Sequence, residues 1–294
     1  MNNILVLDIG GTFIKYALMN KEGDFIDKGK IPTPMESKLS LFNEIQALKD
    51  KYKDIEGIAI SMPGVIDSKT GYAFTGGALQ YISECEFAKE LEMHTSLSVT
   101  IENDAKCATL AEVWKGNLKG IDNGIALILG TGVGGGIVVD GKILKGKHFF
   151  AGEVSFTKCN INDMNNFSNL LGVISGSSGL SNEVYKTSNK KDLNGIEIFK
   201  LIREGDKEVL EGVKVYCNKL AHHMYNLQVI IDPERFVIGG GISEENMLID
   251  ILKEEVDKVY SSIPFIKMPA VDIMPCKYRN DSNLLGALYN YINK

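Results

Sequence analysis

The sequence is poor in the features that secreted, membrane-borne and nucleic-acid-binding chains depend on. It has five cysteines among 294 residues, Cys85, Cys107, Cys159, Cys217 and Cys276, with no C-x-x-C spacing. An odd, scattered set excludes a disulfide framework and points to buried free thiols in a reducing compartment. No stretch approaches the roughly 18 apolar residues of a membrane span. The apolar run Ile4-Leu5-Val6-Leu7 is too short for a signal peptide. The expected location is the cytoplasm, with no membrane partner. Positive charge is not in excess, since 32 Lys and Arg face 38 Asp and Glu for a net charge of -6. No basic face is built, so nucleic acid is not an expected partner. An anionic ligand stays open, because backbone N–H groups bind phosphate without net positive charge. Histidine is scarce, at four. His222 and His223 are adjacent on a helix, face different directions and cannot chelate as an i, i+4 pair would.

What is present is a globular composition, 44% hydrophobic and 24% charged, which excludes disorder. The length suits one large domain or two ordinary ones. Residues 3–8 read as a buried strand ending in Asp8. The turn Gly10-Gly11-Thr12 leads to a second strand over 13–19 and a third over 25–31. Helical spacing follows at 37–51, then buried strands at 57–61 and 98–101 and a helix over 104–115. The pattern restarts near residue 124. A strand over 125–129, the turn Gly130-Thr131-Gly132, a strand over 135–139 and a hairpin signal at Asp140-Gly141 come in the same order. Residues 146–195 are less periodic, and 186–192 reads as a solvated loop. A long helix over 206–230, a strand over 235–238, Gly239-Gly240-Gly241, a helix over 244–258, a strand near 270–274 and a helix over 282–292 complete the chain. This imperfect repeat implies two similar α/β lobes, 1–117 and 118–283, with a ligand between them and the closing helix 284–294 packed back on the first lobe.

The glycine turns carry the first chemical signal. Successive N–H groups in such a turn form an anion nest. Thr12 adds a hydroxyl, Lys15 a charge, and Asp8 a carboxylate suited to a hydrated Mg²⁺. A tight hairpin stabilised by Asp8 is the competing reading. Gly130, Gly132 and Gly135 spell G-x-G-x-x-G, but strand residues follow where a dinucleotide site needs a helix. Two glycine-Thr hairpins at matching places fit one polyphosphate gripped twice. Gly239-Gly240-Gly241, after a strand and before a helix, leaves room for a flat group such as adenine. Asp104, at the start of a helix, reads equally as a helix cap and as a general base.

Asp8-Ile-Gly-Gly-Thr-x-x-Lys15, Glu102-Asn103-Asp104-Ala105, Gly130-Thr131-Gly132-x-Gly134-Gly135-Gly136, Ala151-Gly152-Glu153 and Ile238-Gly239-Gly240-Gly241 together resemble the ROK family (repressors, open reading frames, sugar kinases). Within it, the stretch around Gly76-Gly77-Ala78-Leu79 looks most like the β-glucoside kinases. The resemblance implies the two-lobed actin-like ATPase fold (ribonuclease H-like, hexokinase-type) and an ATP- and Mg²⁺-dependent sugar kinase. It assigns Asp104 as the base that deprotonates the sugar hydroxyl, O6 of a β-glucoside such as cellobiose. Gly64, Thr75, Gly76, Gly77, Asn103 and Glu153 fall where the family binds sugar. Asp8, Gly10, Gly11, Thr12, Lys15, Gly130, Thr131, Gly132, Gly239, Gly240 and Gly241 fall on the nucleotide, with Asp8 on Mg²⁺ through water. A homodimer is the expected assembly. Glucokinase and N-acetylmannosamine kinase are the alternatives, and a sugar-sensing regulator is one of another class. A regulator would need a helix-turn-helix before the phosphate motif at Asp8. The chain departs from the family after Glu153. Ser155 and Phe156 stand where the family has Gly-His, and Cys159 alone replaces a cysteine cluster. A closed zinc site needs four ligands, so no zinc is expected. Phe156 replaces a sugar-contacting histidine with an apolar wall.

Overall fold

The computed structural model describes residues 3–163 and 165–294. They divide into two compact units. The first holds residues 3–115, 145–151 and 281–294, and the second holds 116–144 and, among those described, 152–280. The first unit thus reclaims seven residues, 145–151, from a stretch that by sequence position belongs to the second.

The first unit opens with β1 (Asn3–Ile9), β2 (Phe13–Met19) and β3 (Phe25–Pro32) as an antiparallel meander. After α1 (Lys38–Asp50) comes β4 (Ile55–Met62). β5 (Ile66–Asp67), β6 (Tyr72–Thr75) and β7 (Ser83–Cys85) make a small separate sheet, followed by α2 (Phe87–Thr95), β8 (Ser98–Asn103) and α3 (Asp104–Lys115). The main sheet has the order β3-β2-β1-β4-β8, with β1, β4 and β8 parallel. β1 is buried from Ile4 to Ile9 because it sits mid-sheet with both faces covered, which its unbroken apolar run already suggested.

The second unit repeats the plan. β9 (Gly124–Leu129), β10 (Val133–Val139) and β11 (Lys142–Ile143) form the meander. Helices α4 (Leu171–Ile174), α5 (Ser177–Ser188), α6 (Gly195–Arg203) and α7 (Lys207–Ile231) precede β12 (Arg235–Gly239). Then come α8 (Asn246–Tyr260) and β13 (Asp272–Pro275). The sheet order is β11-β10-β9-β12-β13, strand for strand that of the first unit. The chain then returns to the first unit with α9 (Ser282–Ile292), which lies on α3. Gly286 is required there, because a Cβ at that position would run into the Cys107 carbonyl.

Two stretches differ from the sequence reading. Residues 146–195 carry α4 and α5 where little periodicity was visible. The charged run starting at Lys186 begins inside α5, and the helix ends at Ser188 before Asn189 in the left-handed region. Lys190 then pairs with Asp206 at 2.7 Å, the residue that caps α7. Trp114 is half-buried and stacks on Tyr289 at 5.5 Å. Among the described residues no helix is long and apolar enough to cross a membrane.

Candidate active site

In the first unit, the sequence-predicted residues gather at the C-terminal ends of the parallel strands. Asp8 ends β1, Gly64 follows β4, and Asn103 ends β8. Ligands bind outside the carboxyl ends of such strands. Asp8 is buried, at 8% exposure. Its Oδ1 accepts from Ser61 Oγ and from Asn283 Nδ2, both at 3.0 Å, and its Oδ2 faces Lys15 Nζ at 3.6 Å. One carboxylate cannot chelate Mg²⁺, and among the described residues no group of three or more His, Cys, Asp or Glu is placed to hold a metal. A single carboxylate fixed through one oxygen does fit the water shell of a hydrated Mg²⁺.

The glycine turn after β1 is braced from β3's far end. Thr33 Oγ1 donates to the Gly10 carbonyl at 2.7 Å, and Thr33 N–H donates to the Thr12 carbonyl at 3.0 Å. Gly10 N–H closes the turn on the Phe13 carbonyl at 3.0 Å, so Gly10 shapes the nest rather than donating to it. Gly11 and Thr12 are exposed at its tip.

At the helix start, both Asn103 and Asp104 take backbone N–H groups of the first turn of α3. Asn103 is the cap, since its Oδ1 accepts from Lys106 N–H at 3.1 Å, the third residue into α3. Asp104 Oδ1 takes the N–H of its neighbour Ala105 at 2.8 Å. Asn103 Nδ2 donates to the Gly64 carbonyl at 3.0 Å, which ties the helix start to the loop after β4. That loop is tied in turn to Thr75, whose Oγ1 accepts from Val65 N–H at 3.1 Å. Gly76 N–H donates to the Ile82 carbonyl at 2.8 Å, and Ala78 approaches Gly11. Asp8, Gly64, Thr75–Gly77 and Asn103–Asp104 therefore form one connected rim.

Several residues that support this rim were not among the sequence-predicted site residues. Ser61 and Asn283 orient Asp8, and Thr33 holds the glycine turn. Glu102, fully buried, accepts from Asn103 N–H at 2.9 Å and meets Lys145 Nζ at 2.6 Å. Lys145 also donates to Ser68 Oγ. Asn283 had one available signal, an amide in the first turn of a mostly apolar helix.

The second unit brings together the other set. Gly130 N–H closes its turn on the Gly132 carbonyl at 3.0 Å, matching Gly10, and Thr131 is exposed. Gly240 has φ +89, and any Cβ there would strike the Leu129 carbonyl, so the chain after β12 lies directly on the end of β9. Beside Gly130 and Gly241 opens a cavity of about 420 Å³ lined by Leu129, Ser177, Ile196, Phe199 and Ile242 among others. Its walls are largely apolar, and its size suits one flat heterocycle with its ribose. Glu153 precedes the short turn Val154–Phe156, and Phe156, 54% exposed, is its last residue. Cys159 is exposed. His223 is buried and burial pushes its imidazole down to about 4, while His222 is exposed.

A family model described as the ROK family matches residues 4–293. The chain is 28% identical over 302 residues to a β-glucoside kinase of Listeria monocytogenes, covering 99% of this chain and 98% of that protein. It is 30% identical to an N-acetyl-D-glucosamine kinase of Aliivibrio salmonicida, covering 96% and 97%. Among solved structures, a ROK family protein of Streptococcus pneumoniae in complex with sucrose superposes with a TM-score of 0.88 at 28% identity, over 99% of this chain and 98% of that one. The fold is the actin-like ATPase fold of these sugar kinases.

Proposed function

As a member of the ROK family this chain is an ATP-dependent carbohydrate kinase, and we propose that its acceptor is O6 of the non-reducing glucosyl unit of a β-glucoside such as cellobiose. The observation that supports the assignment of the base is its place: Asp104 opens α3 directly after Asn103, whose side chain caps the helix and is tied to the Gly64 loop. In the proposed step, Asp104 takes the O6 proton as O6 attacks the γ-phosphorus. The bond from that phosphorus to the bridging oxygen breaks, and ADP leaves with the electron pair. A positioned base of this kind contributes about 10²–10⁴-fold.

The other residues position and neutralise, which is most of what phosphoryl transfer requires. The carbonyl and one amide hydrogen of Asn103 are engaged by backbone. Its second amide hydrogen is the one that meets a sugar hydroxyl. Gly64, Thr75, Gly76 and Gly77 outline the sugar site, and Glu153 accepts from a sugar hydroxyl. Gly11, Thr12, Thr131 and Gly132 offer turn donors to phosphate, Lys15 adds charge, and the cavity beside Gly130 and Gly239–Gly241 takes the adenine. Asp8, oriented by Ser61 and Asn283, would hold a hydrated Mg²⁺ through water, and the ion would supply positive charge to the phosphates. The homodimer belongs to the same proposal.

The L. monocytogenes relative supports a β-glucoside acceptor. A second reading, a monosaccharide acceptor such as glucose or an N-acetylhexosamine, is supported by the A. salmonicida relative. The test is ADP release with cellobiose, glucose, N-acetylmannosamine and N-acetylglucosamine, with the product's phosphate located by NMR. Cellobiose is expected to give the highest kcat/KM with phosphate on O6. Turnover confined to monosaccharides would favour the second reading, and no sugar-stimulated turnover would refute both.

A further inference from the structure

Phe149 has φ +58, in the left-handed region. A bulky aromatic side chain rarely stands there, because its Cβ crowds the backbone, and glycine would take the same conformation at little cost. Such outliers persist where surrounding structure imposes them, and they gather at ligand clamps. The surroundings here are specific. The Phe149 ring stacks on Phe74, centroids 5.9 Å apart at 27°, and Phe74 in turn packs edge-on against Tyr72 at 4.9 Å. The Phe149 carbonyl accepts from Lys106 Nζ at 3.4 Å, and Lys106 is 2% exposed in the first turn of α3, two residues past Asp104. At the other end of the same loop, Lys145 is held by Glu102, two residues before Asp104. Ala151 N–H donates to the Lys145 carbonyl at 3.3 Å and closes the loop at its base.

The seven-residue segment that the first unit reclaims is thus fastened on both sides of Asp104. At its tip it carries a strained, stacked phenylalanine followed by Phe150, which is 48% exposed. Phe74, the ring it stacks on, immediately precedes Thr75-Gly76-Gly77. Core packing alone does not call for a ring at a left-handed position in an exposed loop. An apolar face beside a sugar site does, because the C–H face of a pyranose and the face of an aryl group both lie flat on aromatic rings.

We propose that Phe149, braced by Phe74 and flanked by Phe150, is the specificity wall for the second ring of the acceptor, and that it selects glucosides carrying a further pyranose or an aryl group over free monosaccharides. The proposal rests on the sugar-kinase reading above and names the acceptor class within it.

The experiment compares kcat and KM for cellobiose, an aryl β-glucoside and glucose in the wild type, Phe149→Gly and Phe149→Tyr. Glycine relieves the backbone while removing the ring, so folding is kept, which a thermal melt checks. The expected result in Phe149→Gly is a fall of about tenfold in the kcat/KM ratio of the two-ring substrates over glucose, carried by KM. Phe149→Tyr should restore the ratio. A ratio unchanged in Phe149→Gly, or a loss shared equally by all three substrates, would overturn the wall while leaving the kinase reading intact. A wild type that phosphorylates none of the three would instead overturn the reading on which the wall rests, and the wall with it.

Discussion

The two five-stranded sheets have one strand order and two chemistries. In the first, Asp8 on β1 pairs in register with Lys15 on β2 and with Ser61 on β4. In the second, the matching position on β9 is Ile128, paired with Gly134 on β10 and Gly239 on β12. A carboxylate, an amine and a hydroxyl stand where the duplicate has an isoleucine and two bare glycines. In the proposed function the same backbone faces a charged ligand group in one copy and a flat apolar one in the other. What differs is side chain against empty space.

That comparison can be broken or sharpened, and the largest effect is expected at the polar copy. Asp104→Asn should lower kcat by about 10²–10⁴-fold with sugar and nucleotide KM little changed. A variant that kept wild-type turnover in a coupled ADP assay would remove the chemistry from the first unit. Asp8→Asn is expected to cost less, about 10²-fold in kcat, and to move the Mg²⁺ concentration for half-maximal rate upward. An unchanged Mg²⁺ titration would detach Asp8 from the metal.

Stability tests sharpen the second copy. The unfolded imidazole of His223 takes a proton at 6.5, whereas the folded one resists until about 4 because burial disfavours its charge. The unfolded state therefore binds more protons in that window. Stability is full above pH 6.5 and falls as pH drops towards 4, by at most about 3 kcal/mol. Denaturant midpoints measured from pH 7 to 4 should show this slope, and His223→Gln should flatten it. Gly240→Ala should cost at least the roughly 1–3 kcal/mol of strain at φ +89, because its Cβ would also meet the Leu129 carbonyl. It should also raise the KM for ATP while leaving the KM for sugar in place.

Much of this was legible in the residues, and the rest was hidden for definite reasons. Unbroken apolar runs exposed β1, β4, β9 and β12, because strands covered on both faces need no alternation. The repeat of strand, glycine turn and strand exposed the duplication. β5, β6 and β7 were not legible, since strands of two to four residues are too short for a period to register. Asn103 and Asp104 are equally good helix caps on propensity, and only the Lys106 N–H chooses between them. Residues 145–151 look like part of the second repeat. Their attachment to the first unit depends on a buried ion pair with Glu102, 43 residues earlier, which no local pattern encodes. Asn283 and Asp8 are 275 residues apart and meet at 3.0 Å.

That last pairing has a consequence for how the protein is made. The first unit is sewn from segments far apart in the sequence, with α9 pressed on α3 through Gly286 and Asn283 steadying Asp8. A ribosome working from the amino terminus must therefore finish the whole second unit before the first can close. The early segment waits as an incomplete intermediate with an uncovered α3 until α9 is made. A message cut short before α9 would leave α3 uncovered and Asp8 without Asn283.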